Sequence, residues 1–146
     1  NATIIVTFQE TKKIATKGAI MDIKFFKCEH CGNIAIKVVD AGVPMMCCGE
    51  KMVELTAGAV DAALEKHVPA VTVEGANVHV VVGEVEHPMT AEHLIQFVVL
   101  VTDKGYQVAQ LTAADEPKAS FVLAEGAKAL KVYEYCNLHG LWVKEL

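Results

Sequence analysis

No stretch of this 146-residue chain approaches the roughly twenty consecutive apolar residues of a membrane-spanning helix. Its longest apolar runs, 78–82 and 97–101, are strand-sized. There is no stripe of basic residues either. With 13 Lys and Arg against 18 Asp and Glu the net charge is -5, which argues against nucleic acid as a partner. Internal repeats, low-complexity tracts and a convincing amphipathic helix are all missing. A secretory leader is not expected either, because the first residues show no basic segment followed by a long apolar one. That reading places the protein in the cytoplasm. Aromatic residues make up only 6%, yet hydrophobic residues reach 53%, ample material for one ordinary domain or two small ones.

Five cysteines are present. In a chain without an export signal they read as metal ligands rather than disulfides, and pairing an odd number would strand one thiol. Cys28-Glu29-His30-Cys31 and the adjacent pair Cys47-Cys48 form the first set. Two cysteines spaced by two residues on a turn chelate one ion, and a second pair completes a tetrahedron. Because Cys47 and Cys48 are successive, the tetrahedron is expected to be distorted. Gly32 and Gly49 each follow a cysteine, where a tight turn suits glycine. Spacing alone favours structural zinc over iron, with a vicinal disulfide as a third option.

The second set is spread more widely. His67 lies in Glu65-Lys66-His67-Val68-Pro69 and His87 in His87-Pro88-Met89, while His93 follows Glu92. A nearby proline holds the preceding backbone extended and stiffens such a loop. Cys136-Asn137-Leu138-His139-Gly140 places a thiol and an imidazole where a two-point metal clip is easily made. One thiolate and four imidazoles suffice to hold a redox iron in five-coordination with its sixth position open. His79 is read differently, as a surface histidine on the face opposite Val78, Val80 and Val82, and His30 has no partner pattern.

Strand-like segments are expected at 34–39, 43–46, 70–73, 77–85, 94–102, 106–112, 119–123 and 130–135, separated by turn signals such as Glu74-Gly75, Asp103-Lys104-Gly105 and Glu125-Gly126. Within 94–102, Ile95, Phe97, Val99 and Val101 are expected on one face. Residues 61–66 suggest a helical turn or a loop lid. Short strands at regular intervals point to an all-β chain with an antiparallel sandwich. Residues 1–20 carry no motif and precede Met21, which reads like a natural start. They are taken as an extension of uncertain origin in which Ile4-Ile5-Val6-Thr7-Phe8 has strand propensity.

From about Lys24 onward these motifs, in this order and at these spacings, resemble desulfoferrodoxin, the two-iron superoxide reductase family. The resemblance covers about 120 residues and implies a desulforedoxin-like domain over 21–57, followed by an immunoglobulin-like β-sandwich over 58–146. It implies that Cys28, Cys31, Cys47 and Cys48 hold a distorted, rubredoxin-like iron, which moves the choice from zinc to iron. His67, His87, His93 and His139 become equatorial ligands of a second, catalytic iron, with Cys136 as its axial thiolate. Glu65 would fill the open position in the ferric resting state and Lys66 would supply a nearby cation. The implied reaction is one-electron reduction of superoxide to hydrogen peroxide without release of dioxygen, a defence against oxidative stress. A small electron donor such as rubredoxin and a homodimeric assembly belong to the same expectation. Two other readings stand beside it. A zinc-ribbon interaction module fused to a sandwich leaves Cys136 and His139 unexplained, and a superoxide dismutase would also have to oxidise superoxide.

Overall fold

The computed structural model describes residues 22–60 and 62–146. The expected strand at 4–8 and the start at Met21 lie outside the described residues. The described chain is almost entirely antiparallel β-structure. β1 (Phe25–Lys27) is the middle of a small sheet, flanked by β2 (Ile34–Ile36) and β5 (Val53–Glu54). β3 (Met46–Cys47) and β4 (Glu50–Lys51) make a separate two-stranded hairpin. Strands of two or three residues carry too little alternation to be read from sequence, and β1, β4 and β5 escape a sequence reading for that reason. The strands expected at 34–39 and 43–46 shrink to β2 and β3.

The rest of the chain forms the expected sandwich. β6 (Pro69–Glu74), β7 (Asn77–Val82) and β10 (Lys118–Val122) make one sheet in the order β10-β7-β6. β8 (Ile95–Thr102), β9 (Gly105–Gln110), β11 (Ala129–Cys136) and β12 (Gly140–Glu145) make the other, ordered β12-β11-β8-β9. β7 alternates strictly, burying Val78, Val80 and Val82 against Ile95, Val98 and Leu100 of β8, Phe121 of β10, and Val132 and Cys136 of β11. His79 points outward, where its Nδ1 lies 3.1 Å from the Ser120 hydroxyl.

β8 is buried on both faces, which accounts for the unbroken apolar run at 97–101. Its second face, Phe97, Val99 and Val101, joins Tyr133, Tyr135 and Leu141 beneath Ile23 and Phe25 of the N-terminal module. The Phe25 ring stacks on Phe97 at 5.6 Å and meets Tyr133 edge-on at 5.1 Å. Burying one such side chain contributes about 1.5–3 kcal/mol. Ile95 departs from the expected face. Tyr135 pairs with Phe97 but Cys136 pairs with Ile95, so Gln96 is an extra residue in the ladder. This bulge flips Ile95 into the sandwich core beside Cys136.

β12 is a further strand beyond those expected. Cys136 pairs with Gly140, so Asn137-Leu138-His139 is a three-residue hairpin loop closed by a glycine at φ +75°, a conformation that three-residue hairpins require at this place. The clip read from the sequence is therefore also a turn. Before β6, residues 64–67 form a single helical turn, α1 (Leu64–His67).

Candidate metal centres

The four thiols of Cys28, Cys31, Cys47 and Cys48 converge so that all sulfurs lie within 4.8 Å of one another. The Cys31 and Cys47 sulfurs are 3.6 Å apart and those of Cys47 and Cys48 4.0 Å apart. A regular tetrahedron with metal–sulfur bonds of about 2.3 Å has edges of roughly 3.8 Å, so the cage has the right size and is uneven. The unevenness sits where the adjacent pair predicts it. Cys48 has φ +51° and is the only non-glycine residue with positive φ among the described residues, a conformation that costs an L-residue about 1–2 kcal/mol. Cys28 is held down to about 6, first by the backbone N–H of Cys31 and also by that of His30. Cys48 is pushed up to about 12, first by its contacts with the Cys31 and Cys28 thiols. Four crowded sulfurs that cannot all ionise together are what a cation would relieve.

The second cluster stands at one end of the sandwich. His67 ends α1, His87 and His93 lie in the loop between β7 and β8, and Cys136 and His139 flank the β11–β12 turn. The imidazole centroids run one after another around a ring: His67 to His87 4.8 Å, His87 to His93 4.6 Å, His93 to His139 4.9 Å and His139 to His67 4.8 Å, all edge-to-face. A square of that side puts each centroid about 3.4 Å from the centre, where a ring nitrogen about 2.1 Å from a metal would place it. The Cys136 sulfur is 3.6 Å from His139 Nδ1. Donor atoms of His67, His87, Cys136 and His139 all lie within 4.8 Å of one another. His93 is outside that tighter group, although its ring contacts His87 and His139.

Several observations fit a metal at this point. His87 Nε2 and His93 Nε2 are buried without a hydrogen-bond partner, which is costly unless something else meets them. His87 donates its other nitrogen, Nδ1, to the Pro88 carbonyl at 2.6 Å, which fixes the tautomer and frees Nε2. Burial, more than any neighbour, lowers His67 to about 4 and also lowers His87 and His93. The rings are thus neutral near pH 7, as ligands must be. Burial pushes the Cys136 thiol up, while the backbone N–H groups of Leu138 and His139 pull it down. A thiolate with four imidazoles is a donor set suited to a redox iron.

Glu65 and Lys66 are both exposed on α1, next to His67. The Lys66 charge is among the causes that lower His67, His87 and His93, so its ammonium is felt at the ring of histidines. Three residues that contact the candidate ligands or tie their loops together are not apparent from the sequence. Asn137 accepts from the Leu94 N–H at 3.0 Å and donates to the Glu92 carbonyl at 2.9 Å, tying the His93 loop to the Cys136 hairpin. Trp142 stacks on His67 at 5.1 Å and donates to the His139 carbonyl at 3.0 Å. Glu134 is buried, with its Oε1 3.5 Å from His67 Nδ1. Asn137 stands inside the Cys136–Gly140 motif, and Trp142 is the chain's single tryptophan. A glutamate in a strand gives no signal.

Comparison with known proteins agrees along nearly the whole described chain. The family described as "Desulfoferrodoxin, N-terminal domain" matches residues 21–55 and "Desulfoferrodoxin" matches residues 59–145. The desulfoferrodoxin of Syntrophotalea carbinolica is 44% identical over 124 residues, covering 84% of this chain and 96% of that protein. That of Nitratidesulfovibrio vulgaris is 41% identical, covering 84% and 95%. Among solved structures, the superoxide reductase from Treponema pallidum is similar with a TM-score of 0.73 and 40% identity, covering 85% of this chain and 99% of that one.

Proposed function

The chain belongs to the desulfoferrodoxin family, and on that premise we propose that it is a superoxide reductase. In the overall reaction, superoxide takes up one electron and two protons to give hydrogen peroxide, and no dioxygen is released. The observation that carries this reading is the ring of four imidazoles with the Cys136 sulfur beside it. Iron held there would supply the one electron, having accessible ferrous and ferric states.

The protein's own part is set by its side chains. His67, His87, His93 and His139 bind as neutral rings and Cys136 as a thiolate. The ligands together bring one negative charge to a divalent ion, and the site stays cationic toward an anionic substrate. Cys136 would be the one soft, electron-donating ligand to iron held there, and so would tune its redox chemistry. Lys66, exposed beside His67, draws superoxide in. Glu65, exposed on the same helical turn, would offer a carboxylate at the edge of the site and help product to leave. Both protons would come from water on the side where Glu65, Lys66 and Leu138 are exposed.

The four-cysteine cluster of the 21–57 module holds the second iron. A rubredoxin-like protein restores the ferrous state, the chain acts in the cytoplasm, and it assembles as a homodimer. Support for a partner surface comes from Val38, Val39 and Val43, which stand largely exposed in that module. Metal analysis with a visible spectrum tests the reading, and two irons per chain with colour from both sites are expected. Measuring dioxygen evolved against reductant consumed then separates reduction from dismutation. Dioxygen release in proportion to superoxide lost would overturn the proposal.

A further inference from the structure

We propose that Met89 is a positioning residue for the histidine-ringed site, its sulfur accepting the backbone N–H of Ile95 and so setting His93 against His87. The inference rests on the reading of both histidines as iron ligands. The loop between β7 and β8 carries these two rings with their centroids 4.6 Å apart. Its first part is fastened to the α1 segment, where the Gly83 and Val85 N–H groups donate to the Val68 and Glu65 carbonyls. Residues 90–93 close on themselves. Thr90 and His93 exchange backbone hydrogen bonds at 2.9 and 3.3 Å, and the Thr90 hydroxyl oxygen accepts the His93 N–H at 3.1 Å. Met89 links these two parts. Its Sδ lies 3.4 Å from the Ile95 nitrogen, which closes residues 89–95 into a ring around the 90–93 turn.

The sheet itself leaves the Ile95 N–H without an acceptor. On the β11 side, the Asn137 N–H donates to the Leu94 carbonyl, so the neighbouring pair, Cys136 with Ile95, is one that exchanges no hydrogen bonds. On the other side, pairing with β9 stops at Phe97 opposite Gln110. Ile95 is fully buried, and an unmet N–H there would be costly. Two side chains therefore stand in for the ladder at successive residues, Asn137 for Leu94 and Met89 for Ile95. The rest of Met89 packs on the core cluster that contains Ile95 and Cys136. A leucine would fill that space about as well, but it offers no lone pair. A thioether is apolar enough for the core and still a weak acceptor. The sulfur thus pins the turn that carries His93 to the strand end paired with Cys136, and His87 follows through the short span of Pro88.

The test uses the full chain with Met89→Leu and Met89→Gln, and ferrous iron is the probe. Three quantities are read: iron affinity of the histidine site by chelator competition, hydrogen exchange of the Ile95 amide by fragment mass spectrometry on the iron-loaded chain, and Tm. Met89→Leu keeps the packing and removes the acceptor, so it is expected to melt near wild type. Its iron affinity should fall about 3- to 10-fold, with Ile95 exchange faster by a similar factor, as loss of one hydrogen bond implies. Met89→Gln restores an acceptor at similar reach but sets an amide in apolar surroundings. Its Tm should fall while affinity and Ile95 exchange stay near wild type. A side chain that only fills space predicts the reverse, with Met89→Leu like wild type in all three and Met89→Gln impaired in all three. That pattern would overturn the proposal. So would an Ile95 amide exchanging equally fast in wild type and Met89→Leu when both irons are bound. If instead the wild-type chain took iron only at its cysteines, the ligand reading itself would fall, and the proposal with it.

Discussion

Gly83→Ala is the sharpest test of how the fold presents the histidine site. Gly83 comes directly after β7 at φ +81°, and a Cβ there would lie 2.6 Å from the Lys66 carbonyl oxygen, 2.7 Å from its carbon and 2.7 Å from the Val85 carbonyl oxygen. All three are backbone atoms, so no side-chain rotation relieves the clash. The backbone struck on one side carries Glu65, Lys66 and His67. It is already tied to this loop by the Gly83 N–H to the Val68 carbonyl at 3.3 Å and the Val85 N–H to the Glu65 carbonyl at 2.9 Å. Left-handed strain of about 1–2 kcal/mol and overpacking of about 1–3 kcal/mol together predict a loss of roughly 2–5 kcal/mol. For a chain of this size that is a fall in Tm of roughly 8–20 °C. His67 shifts with α1, so iron at the histidine site should bind more weakly while the four-cysteine site keeps its colour. Thermal melts and iron counts with the two absorption bands resolved provide the assay. A Gly83→Ala protein with wild-type Tm and two firmly bound irons would refute the reasoning.

Four further outcomes are expected. Cys31→Ser removes the four-thiolate iron, and pulse kinetics on the ferrous variant should show superoxide reduction largely intact; loss of reactivity with the second iron still bound would contradict this. Lys66→Ala should slow the bimolecular step and flatten its salt dependence. A cation ~6 Å from the incoming anion contributes between about 0.7 kcal/mol in bulk water and about 2.8 kcal/mol at an effective dielectric of 20, or roughly 3- to 100-fold in rate; unchanged low-salt rates would remove the steering role. Glu65→Ala should alter the ferric spectrum and leave the first encounter with superoxide nearly untouched, which stopped-flow absorption resolves. Metal-free protein should melt lower as pH falls from about 6.5 toward 4: the unfolded chain takes up protons there that His67, lowered to about 4, and the likewise lowered His87 and His93 refuse in the fold. Glu134, raised to about 9 by burial, works in the opposite sense, so Glu134→Gln should steepen that acid loss.

The sandwich is legible in the sequence because its strands are long enough for a two-residue period to show, as β7 does with Val78, Val80 and Val82. The two side-chain clusters are legible because cysteine and histidine in fixed spacings beside turns and prolines have few other uses. The features that escape have a common cause in non-local pairing. The bulge at Gln96 depends on the register between β8 and β11, which no local window contains. β12 is hidden because its start doubles as the Cys136–His139 turn. Glu134 and Trp142 acquire meaning only when β11 pairs with β12, which sets them directly opposite one another and brings both to His67.

That pairing also shows how the two modules depend on each other. β11 is one strand with two buried faces: Val132, Glu134 and Cys136 look into the sandwich and toward the histidine ring, while Tyr133 and Tyr135 look out beneath Phe25. Cys136 with Val132 and Glu134, and the tyrosines that seat the N-terminal module, are therefore alternate positions of the same backbone. Core packing is stiff at the scale of a single methylene, so uncovering Tyr133 and Tyr135 would loosen the strand from which Cys136 projects. The cover itself is made by Ile23 and Phe25, apolar side chains that bind no metal. The N-terminal module thus supports the catalytic strand through its hydrophobic face, whatever ion its four cysteines hold. Emptying the cysteine cage and removing the module are physically different perturbations, and only the second strips the back of the strand that carries Cys136.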